Sequence, residues 1–294
     1  MFPAEFDYER ADSVAEAVDR LAAHAEAGTE AELLAGGHGL VPAMKAGERA
    51  PDAVVDLDTE ELVGVTERDD ALAVGALTTY ADLADSALVR ERAPALADAA
   101  GAVGDVQIRN RGTLGGNLVE AHPAADPPAA VLAADATLVL VGPDGEREVP
   151  AADFFVGERE TVVEPAEILT EVRVATGGEA TEAGTNDAGY VRRTHPATGY
   201  ALVGVAAVLD RDGETVTDAR VAATAAVERP VRLPAVEAAL TGGPVDADAR
   251  EAAAAAAADG LDDGRFRSDP SASGEFRRQL LATCVERALA AAGE

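Results

Sequence analysis

Apolar residues recur at helical spacing through Val14, Ala17, Val18, Leu21, Ala22 and Ala25, directly after Ser13-x-x-Glu16, which reads as a capping box. Gly28 closes that helix. A short run over Glu32–Ala35 then predicts a strand, followed by a short helix near Pro42–Ala46 and a second strand over Ala53–Leu57. This opening is a small α/β unit whose strand ends face the place where open α/β sheets bind ligands. The runs then shorten: strands over Leu62–Val65 and Leu72–Leu77, with a turn at Asp69-Asp70. Thr79 is expected to cap a helix through Leu83, and further helices are expected over Pro94–Ala100 and Pro127–Ala134. Thr137–Val141 reads as a strand, Pro143-Asp144-Gly145 as a hairpin-like turn, and Ile168–Val174 as the last strand of this region.

Gly177–Gly189 is polar and glycine-rich and reads as a linker. Beyond it, Ala201–Leu209 and Val216–Ala225 are apolar segments joined by Asp210-Arg211-Asp212-Gly213, a strong hairpin signal. Helices are expected over Val236–Leu240, Ala249–Ala258 and Phe276–Ala291. The last would place Phe276, Leu280, Thr283, Cys284, Ala288 and Ala291 on one face, making Cys284 a core residue rather than a nucleophile. The pattern predicts an α+β chain of two domains, residues 1–177 and 186–292.

Composition narrows what such a chain does. At 48% hydrophobic, 294 residues suffice for one large core or two ordinary ones. No apolar run reaches the ~18 residues of a membrane span, and MFPAEFDYER lacks a basic start and an apolar core, so it is no signal peptide. A cytoplasmic location is expected. The net charge of −30 argues against nucleic acid and anionic membrane surfaces, both of which would repel the chain. Lys45 is the only lysine; acid excess, little lysine and few aromatics suit concentrated salt, where the Debye length shrinks to roughly 3 Å. A lone cysteine, Cys284, cannot supply the roughly four ligands of an iron–sulfur cluster, and His24, His38, His122 and His195 show no metal spacing.

The candidate chemistry lies in two glycine-rich stretches. In one, Gly101, Gly104, Gly112, Gly115 and Gly116 are interleaved with the donors Gln107, Arg109, Asn110, Arg111, Thr113 and Asn117. Adjacent glycines let a ligand approach the backbone, and successive N–H groups can converge on an anion; a Gly pair also makes ordinary tight turns. The second stretch, Ala35-Gly36-Gly37-His38-Gly39-Leu40, follows a predicted strand, so two loops could face one diphosphate from both sides. Neither fits G-x-G-x-x-G, and no G-x-x-x-x-G-K-[ST] occurs, which disfavours a nicotinamide Rossmann domain and a P-loop NTPase.

Four segments, AGGHGLVPAMK, VQIRNRGTLGGNL, YVRRTHPATGYALVGVAA and DPSASGEFRRQLLATCVERAL, resemble the FAD-binding middle subunit of molybdenum hydroxylases, the carbon monoxide dehydrogenase and xanthine dehydrogenase group. The resemblance spans nearly the whole chain. It implies a two-part FAD-binding domain of the PCMH type and a smaller C-terminal domain of antiparallel sheet plus helices. It also implies an oxidoreductase subunit that relays electrons through FAD to an external acceptor. Its partners would be a large molybdenum-cofactor subunit and a small iron–sulfur subunit, with those centres on the partners alone.

By the same resemblance, Gly36, Gly37, His38, Gly39 and Leu40 form the first diphosphate loop, Gly39 standing where relatives commonly have serine. Thr113, Gly115, Gly116 and Asn117 form the second. Asp126 is placed near the cofactor's sugar or ribityl hydroxyls, with a helix cap before Pro127-Pro128 as its rival role. Leu169 and Arg192 are placed by the isoalloxazine ring, and Tyr200 either against the flavin or in the core at a strand start. Glu120 and His122 depart from the family's A-H-A-D-P pattern, and His195, before proline, reads as a turn residue. Two alternatives stand beside this: a free-standing flavin reductase of the cell-wall precursor type with its own substrate site, and a flavin-free scaffold subunit.

Overall fold

The computed structural model describes residues 2–68, 71–175 and 187–293. The first lobe comprises β1 (Asp7–Ala11), α1 (Val14–Ala27), β2 (Ala31–Leu34), α2 (Leu40–Ala46) and β3 (Ala53–Leu57). Its strands are all parallel in the order β1-β3-β2. Ser13 Oγ accepts from the Glu16 N–H at 3.2 Å, and Gly28 ends α1 in the left-handed region at φ +69°, as the sequence predicts. The hydrophobic pattern does not predict the opening strand β1. Its alternating charges, Asp7, Glu9 and Arg10, hide the period because it is an edge strand that buries little besides Ala11.

The second lobe runs β4 (Val65–Arg68), β5 (Ala71–Gly75), α3 (Tyr80–Asp85), α4 (Ala87–Arg92), α5 (Pro94–Ala102), α6 (Val106–Arg109), α7 (Leu114–Glu120) and α8 (Pro127–Ala133). It continues with β6 (Thr137–Gly142), β7 (Gly145–Pro150), α9 (Ala151–Phe154), the small hairpin β8 (Phe155–Gly157) and β9 (Glu160–Thr161), and β10 (Ile168–Ala175). The antiparallel order β4-β5-β10-β6-β7 puts the last strand of the lobe at the sheet's centre. Leu72, Val74, Leu138, Leu140 and Val172 bury one face of this sheet against Leu83, Leu96, Leu114 and Leu118 of the helices. Ile168 instead joins Val18, Leu21 and Val55, which couples the two lobes.

The strand expected over Leu62–Val65 is not there. Glu60–Leu62 is a 3-10 turn, and Gly64 at φ +109° breaks the extended chain before β4. The carbonyl of Leu62 instead lies against Gly75, where a Cβ would come within 2.2 Å of it. The turn expected at Asp69-Asp70 lies outside the described residues.

The C-terminal part comprises β11 (Asp187–Thr194), β12 (Ala201–Asp212), β13 (Thr215–Thr224), β14 (Val231–Arg232), α10 (Pro234–Leu240), α11 (Ala247–Ala255) and α12 (Gly274–Ala292). Its strands form one antiparallel sheet in that order. Most of the expected linker lies outside the described residues, but its end, Asp187–Gly189, belongs to β11. Strand β12 is buried on both faces, which is why ALVGVAAVL reads as one apolar run rather than alternating. Val203, Val205, Ala207 and Leu209 face α10–α12. Ala206 and Val208 face the second lobe's core.

Helix α12 is rotated from the expected face. Phe276 is 46% exposed and Ala291 is exposed, while Arg277, Leu281, Cys284, Val285, Ala288, Leu289 and Ala292 are buried. The cause is Arg277, 1% exposed, which donates to the carbonyls of Leu202 (2.5 Å) and Ala225 (3.0 Å) and pairs with Asp269 at 2.7 Å. Strand ends that lack carbonyl partners draw this guanidinium inward, and a hydrophobicity pattern assigns arginine to solvent. Cys284 is a core residue as expected, and burial pushes its thiol up to about 11.

Candidate functional site

The two glycine stretches meet. A Cβ on Gly36 would come within 2.2 Å of the Arg111 carbonyl oxygen and 2.8 Å of Gly112 Cα. Gly37 adopts φ +76°, the left-handed region that glycine tolerates. Leu40 turns inward and packs with Met44 and Val54, so its side chain anchors the loop. Among the described residues, the N–H groups of Gly37, His38 and Gly39 have no protein acceptor.

The second stretch is not the open loop its glycines suggest. Thr113–Asn117 is the capped first turn of α7, and its N–H groups are already used. Leu114 donates to the Thr78 carbonyl (3.0 Å), Gly115 to Ala76 (2.8 Å) and Gly116 to Thr113 Oγ1 (3.2 Å). Gly115 is required by the neighbouring segment, because a Cβ there would meet Ala76 Cβ at 2.5 Å. Gly116 is exposed beside the first loop, its missing Cβ 3.6 Å from that of Ala35. Asn117 Oδ1 is buried without a hydrogen-bond partner among the described residues. Buried polar atoms of this kind are uncommon and mark a place where a donor from outside the chain fits.

Beyond α7 the chain turns at Ala121, φ +44°, into Pro123–Asp126. Glu120 pairs with Arg159 and, at 3.5 Å, with Arg49, and its carboxyl group packs against Gly39. The family departure at this position therefore ties the first loop to the end of α7. At His122, Nδ1 accepts from the Ala124 N–H at 3.1 Å, and the ring stacks on Tyr200 with centroids 5.1 Å apart. Burial, helped by Arg159 and Arg267, pushes His122 down to about 4, so the ring is neutral near pH 7. Tyr200 is 59% exposed, which overturns its core reading. His195 is the turn residue expected of it, its N–H donating to the Tyr200 carbonyl at 2.9 Å.

Asp126 occupies the N-cap position of α8, but its side chain makes no cap bond, which overturns that rival role. Its Oδ1 accepts from the Tyr190 hydroxyl at 2.5 Å and its Oδ2 from Arg192 Nη1 at 2.8 Å. Burial raises the Asp126 carboxyl, and Arg192 and Tyr190 oppose that by stabilising the ion. The segment is held further by Thr224, whose hydroxyl reaches the Ala125 carbonyl at 2.8 Å, and by the Ala225 N–H on the Pro123 carbonyl at 2.9 Å. Leu169 is buried in the second lobe's core, at the bulge where the β6–β10 register shifts.

The structure thus sets the loop of Gly36, Gly37, His38 and Gly39 beside the start of α7 with Gly116 and Asn117, and joins Asp126 to Arg192. Tyr200 stands with His122, and Leu169 and Leu40 are core side chains. The sequence reading missed Tyr190, Glu120 with its arginines, and the His122–Tyr200 stack. Only Tyr190 left a signal: it lies two residues before Arg192 and so shares its face on a strand.

Among the described residues, no helix is long and apolar enough to cross a membrane, and no group of three His, Cys, Asp or Glu could hold a metal ion. The family model of the FAD binding domain in molybdopterin dehydrogenase matches residues 4–176, and that of the CO dehydrogenase flavoprotein C-terminal domain matches residues 190–292. The carbon monoxide dehydrogenase medium chain of Hydrogenophaga pseudoflava is 36% identical over 293 residues, 99% of this chain and 98% of its own length. The glyceraldehyde dehydrogenase medium chain of Sulfolobus acidocaldarius is 34% identical over 239 residues, 81% of each chain. A solved structure of the Hydrogenophaga pseudoflava carbon monoxide dehydrogenase superposes with a TM-score of 0.91 at 37% identity, covering 100% of this chain and 99% of that one. With both segments matched and the fold shared end to end, the chain belongs to the FAD-binding medium-subunit family of molybdopterin dehydrogenases and is an oxidoreductase subunit whose cofactor is FAD.

Proposed function

We propose that this chain carries FAD between an FAD-binding domain, residues 1–177, and a C-terminal domain, residues 186–292, and passes electrons from partner centres to an external acceptor. The observation that carries the site is the conjunction of the free N–H groups of Gly37, His38 and Gly39 with exposed Gly116 and the orphaned Asn117 Oδ1. The three donors bind the diphosphate, and a cofactor hydroxyl supplies the donor that Asn117 lacks. Thr113 and Gly115 act indirectly, by fixing the first turn of α7. Gly36 and Leu40 seat the first loop, while Leu169 and Tyr200 bound the space for the isoalloxazine ring. Arg192 sets the charge beside that ring and Asp126 balances it; FAD supplies the electron storage.

Relatives are medium chains of complexes named for substrates as different as carbon monoxide and glyceraldehyde. That supports substrate oxidation on a large molybdenum-cofactor subunit, with a small iron–sulfur subunit between it and this chain. The location is cytoplasmic. In the test, the chain is produced alone and with both partners. Alone it should take up FAD and turn over no substrate; with partners its flavin should be reduced by substrate. Gly116→Val should abolish FAD uptake while the fold survives, because the side chain enters the gap between Thr113 Oγ1 and Ala35. Full FAD stoichiometry in that variant, or substrate turnover by the chain alone, would overturn the proposal.

A further inference from the structure

Strand β12 carries a glycine, Gly204, in its interior, where glycine weakens a strand unless something needs the space. Here something does. A Cβ on Gly204 would meet the Tyr190 hydroxyl at 2.2 Å and Thr224 Cγ2 at 2.9 Å. Gly204 pairs in register with Arg192, and Tyr190 lies two residues before Arg192 on the same face of β11. The open space over Gly204 is therefore the passage through which the phenol crosses β12 to reach Asp126 Oδ1 at 2.5 Å.

Tyr190 is 8% exposed and Asp126 4%, so neither group is there for solubility. The consequence is stereochemical. A carboxylate offered to arginine favours a two-pronged pair, with both oxygens on the guanidinium. At Asp126 one oxygen is already occupied by the phenol, and Arg192 holds only the other, through Nη1. The guanidinium is thereby kept on β11, 18% exposed, instead of being drawn fully onto the carboxylate.

We infer that Tyr190 is a positioning residue: by occupying one oxygen of Asp126 it limits Arg192 to a single-pronged pair and keeps that cation's charge directed at the flavin, with Gly204 as the space that permits it. This rests on the reading that Arg192 stands beside the isoalloxazine ring. Removing the phenol hydroxyl frees Asp126 Oδ1, the carboxylate captures Arg192 with both oxygens, and the flavin loses part of a nearby positive charge. A cation near the ring favours the reduced, anionic cofactor, so its loss lowers the flavin's midpoint potential.

The test is a spectroelectrochemical titration of the full chain loaded with FAD, paired with thermal unfolding. Arg192→Ala should shift the midpoint potential negative, and Asp126→Asn, which leaves the cation unneutralised, should shift it positive. Tyr190→Phe should shift it negative, by less than Arg192→Ala. Gly204→Ala, which crowds the hydroxyl off the same oxygen, supplies a second route to that state should Tyr190→Phe fail to yield holoprotein. If Arg192→Ala leaves the potential unchanged, the placement of Arg192 is wrong and the inference falls with it. If Arg192→Ala shifts the potential while Tyr190→Phe and Gly204→Ala change only the unfolding temperature, or shift the potential positive, the positioning role alone is overturned.

Discussion

Gly36 and Arg111 stand 75 positions apart in the chain, yet a Cβ on the first would come within 2.2 Å of the second's carbonyl oxygen. The two glycine stretches are thus one packed unit, and the neighbour is backbone, which cannot swing aside as a side chain can.

Gly36→Ala is therefore expected to separate the loops even though alanine is the smallest possible addition. Overpacking of this kind costs about 1–3 kcal/mol. Differential scanning calorimetry should show a lowered unfolding temperature, and the purified chain should be largely free of FAD. Gly47→Ala is the control: Gly47 is positive in φ at +78°, but no atom lies within 4 Å of the position its Cβ would take. It should cost stability and leave FAD uptake intact.

Dilution of salt should destabilise the chain. At −30 net charge, unscreened acidic surface repels itself, and the Debye length grows from roughly 3 Å at 1 M to roughly 10 Å at 0.1 M. Unfolding temperatures measured from molar to millimolar potassium chloride should fall steadily. A midpoint that stays flat or rises on dilution contradicts adaptation to concentrated salt.

His122 predicts a pH dependence with a definite sign. Its folded value is pushed down to about 4, first by burial and then by Arg159 and Arg267, whereas an unfolded histidine titrates near ~6.5. Between those values the unfolded chain binds a proton that the folded chain excludes, so the stability tied to His122 falls as pH drops through this window. His122→Phe keeps the stack on Tyr200 and removes the proton. Its stability relative to the parent should rise between pH 6.5 and 4.5, by roughly 1–2 kcal/mol after allowing for partial exposure. Urea unfolding of both proteins across that range measures it.

Local signals carried much of the fold. Ser13 and Thr79 cap the helices they were expected to cap, and Gly28 ends the first. A hairpin does join β12 to β13, but its turn is Gly213-Glu214: Asp210–Asp212, expected in the turn, extend β12 instead, with a shift of register at Asp210/Arg211. These depend on neighbours a few residues away, which the sequence displays directly. Strand β11 and the buried face of α12 were illegible for a different reason. Tyr190 is buried by contact with Asp126, 64 positions earlier, and Arg277 by carbonyls 75 and 52 positions away.

The sequence by itself determined which residues could hold an anion, since backbone N–H groups, glycines and hydroxyls are local properties of the chain. It also determined that the chain has too few cysteines to ligate an iron–sulfur cluster through thiolates, because one cysteine is a matter of count. Only the tertiary structure decided which donors remain available. The N–H groups of Leu114, Gly115 and Gly116 are consumed by Thr78, Ala76 and Thr113, while those of Gly37, His38 and Gly39 meet no acceptor among the described residues. Each backbone N–H satisfies one acceptor, and whether that acceptor is protein or ligand depends on which distant segment folds against it.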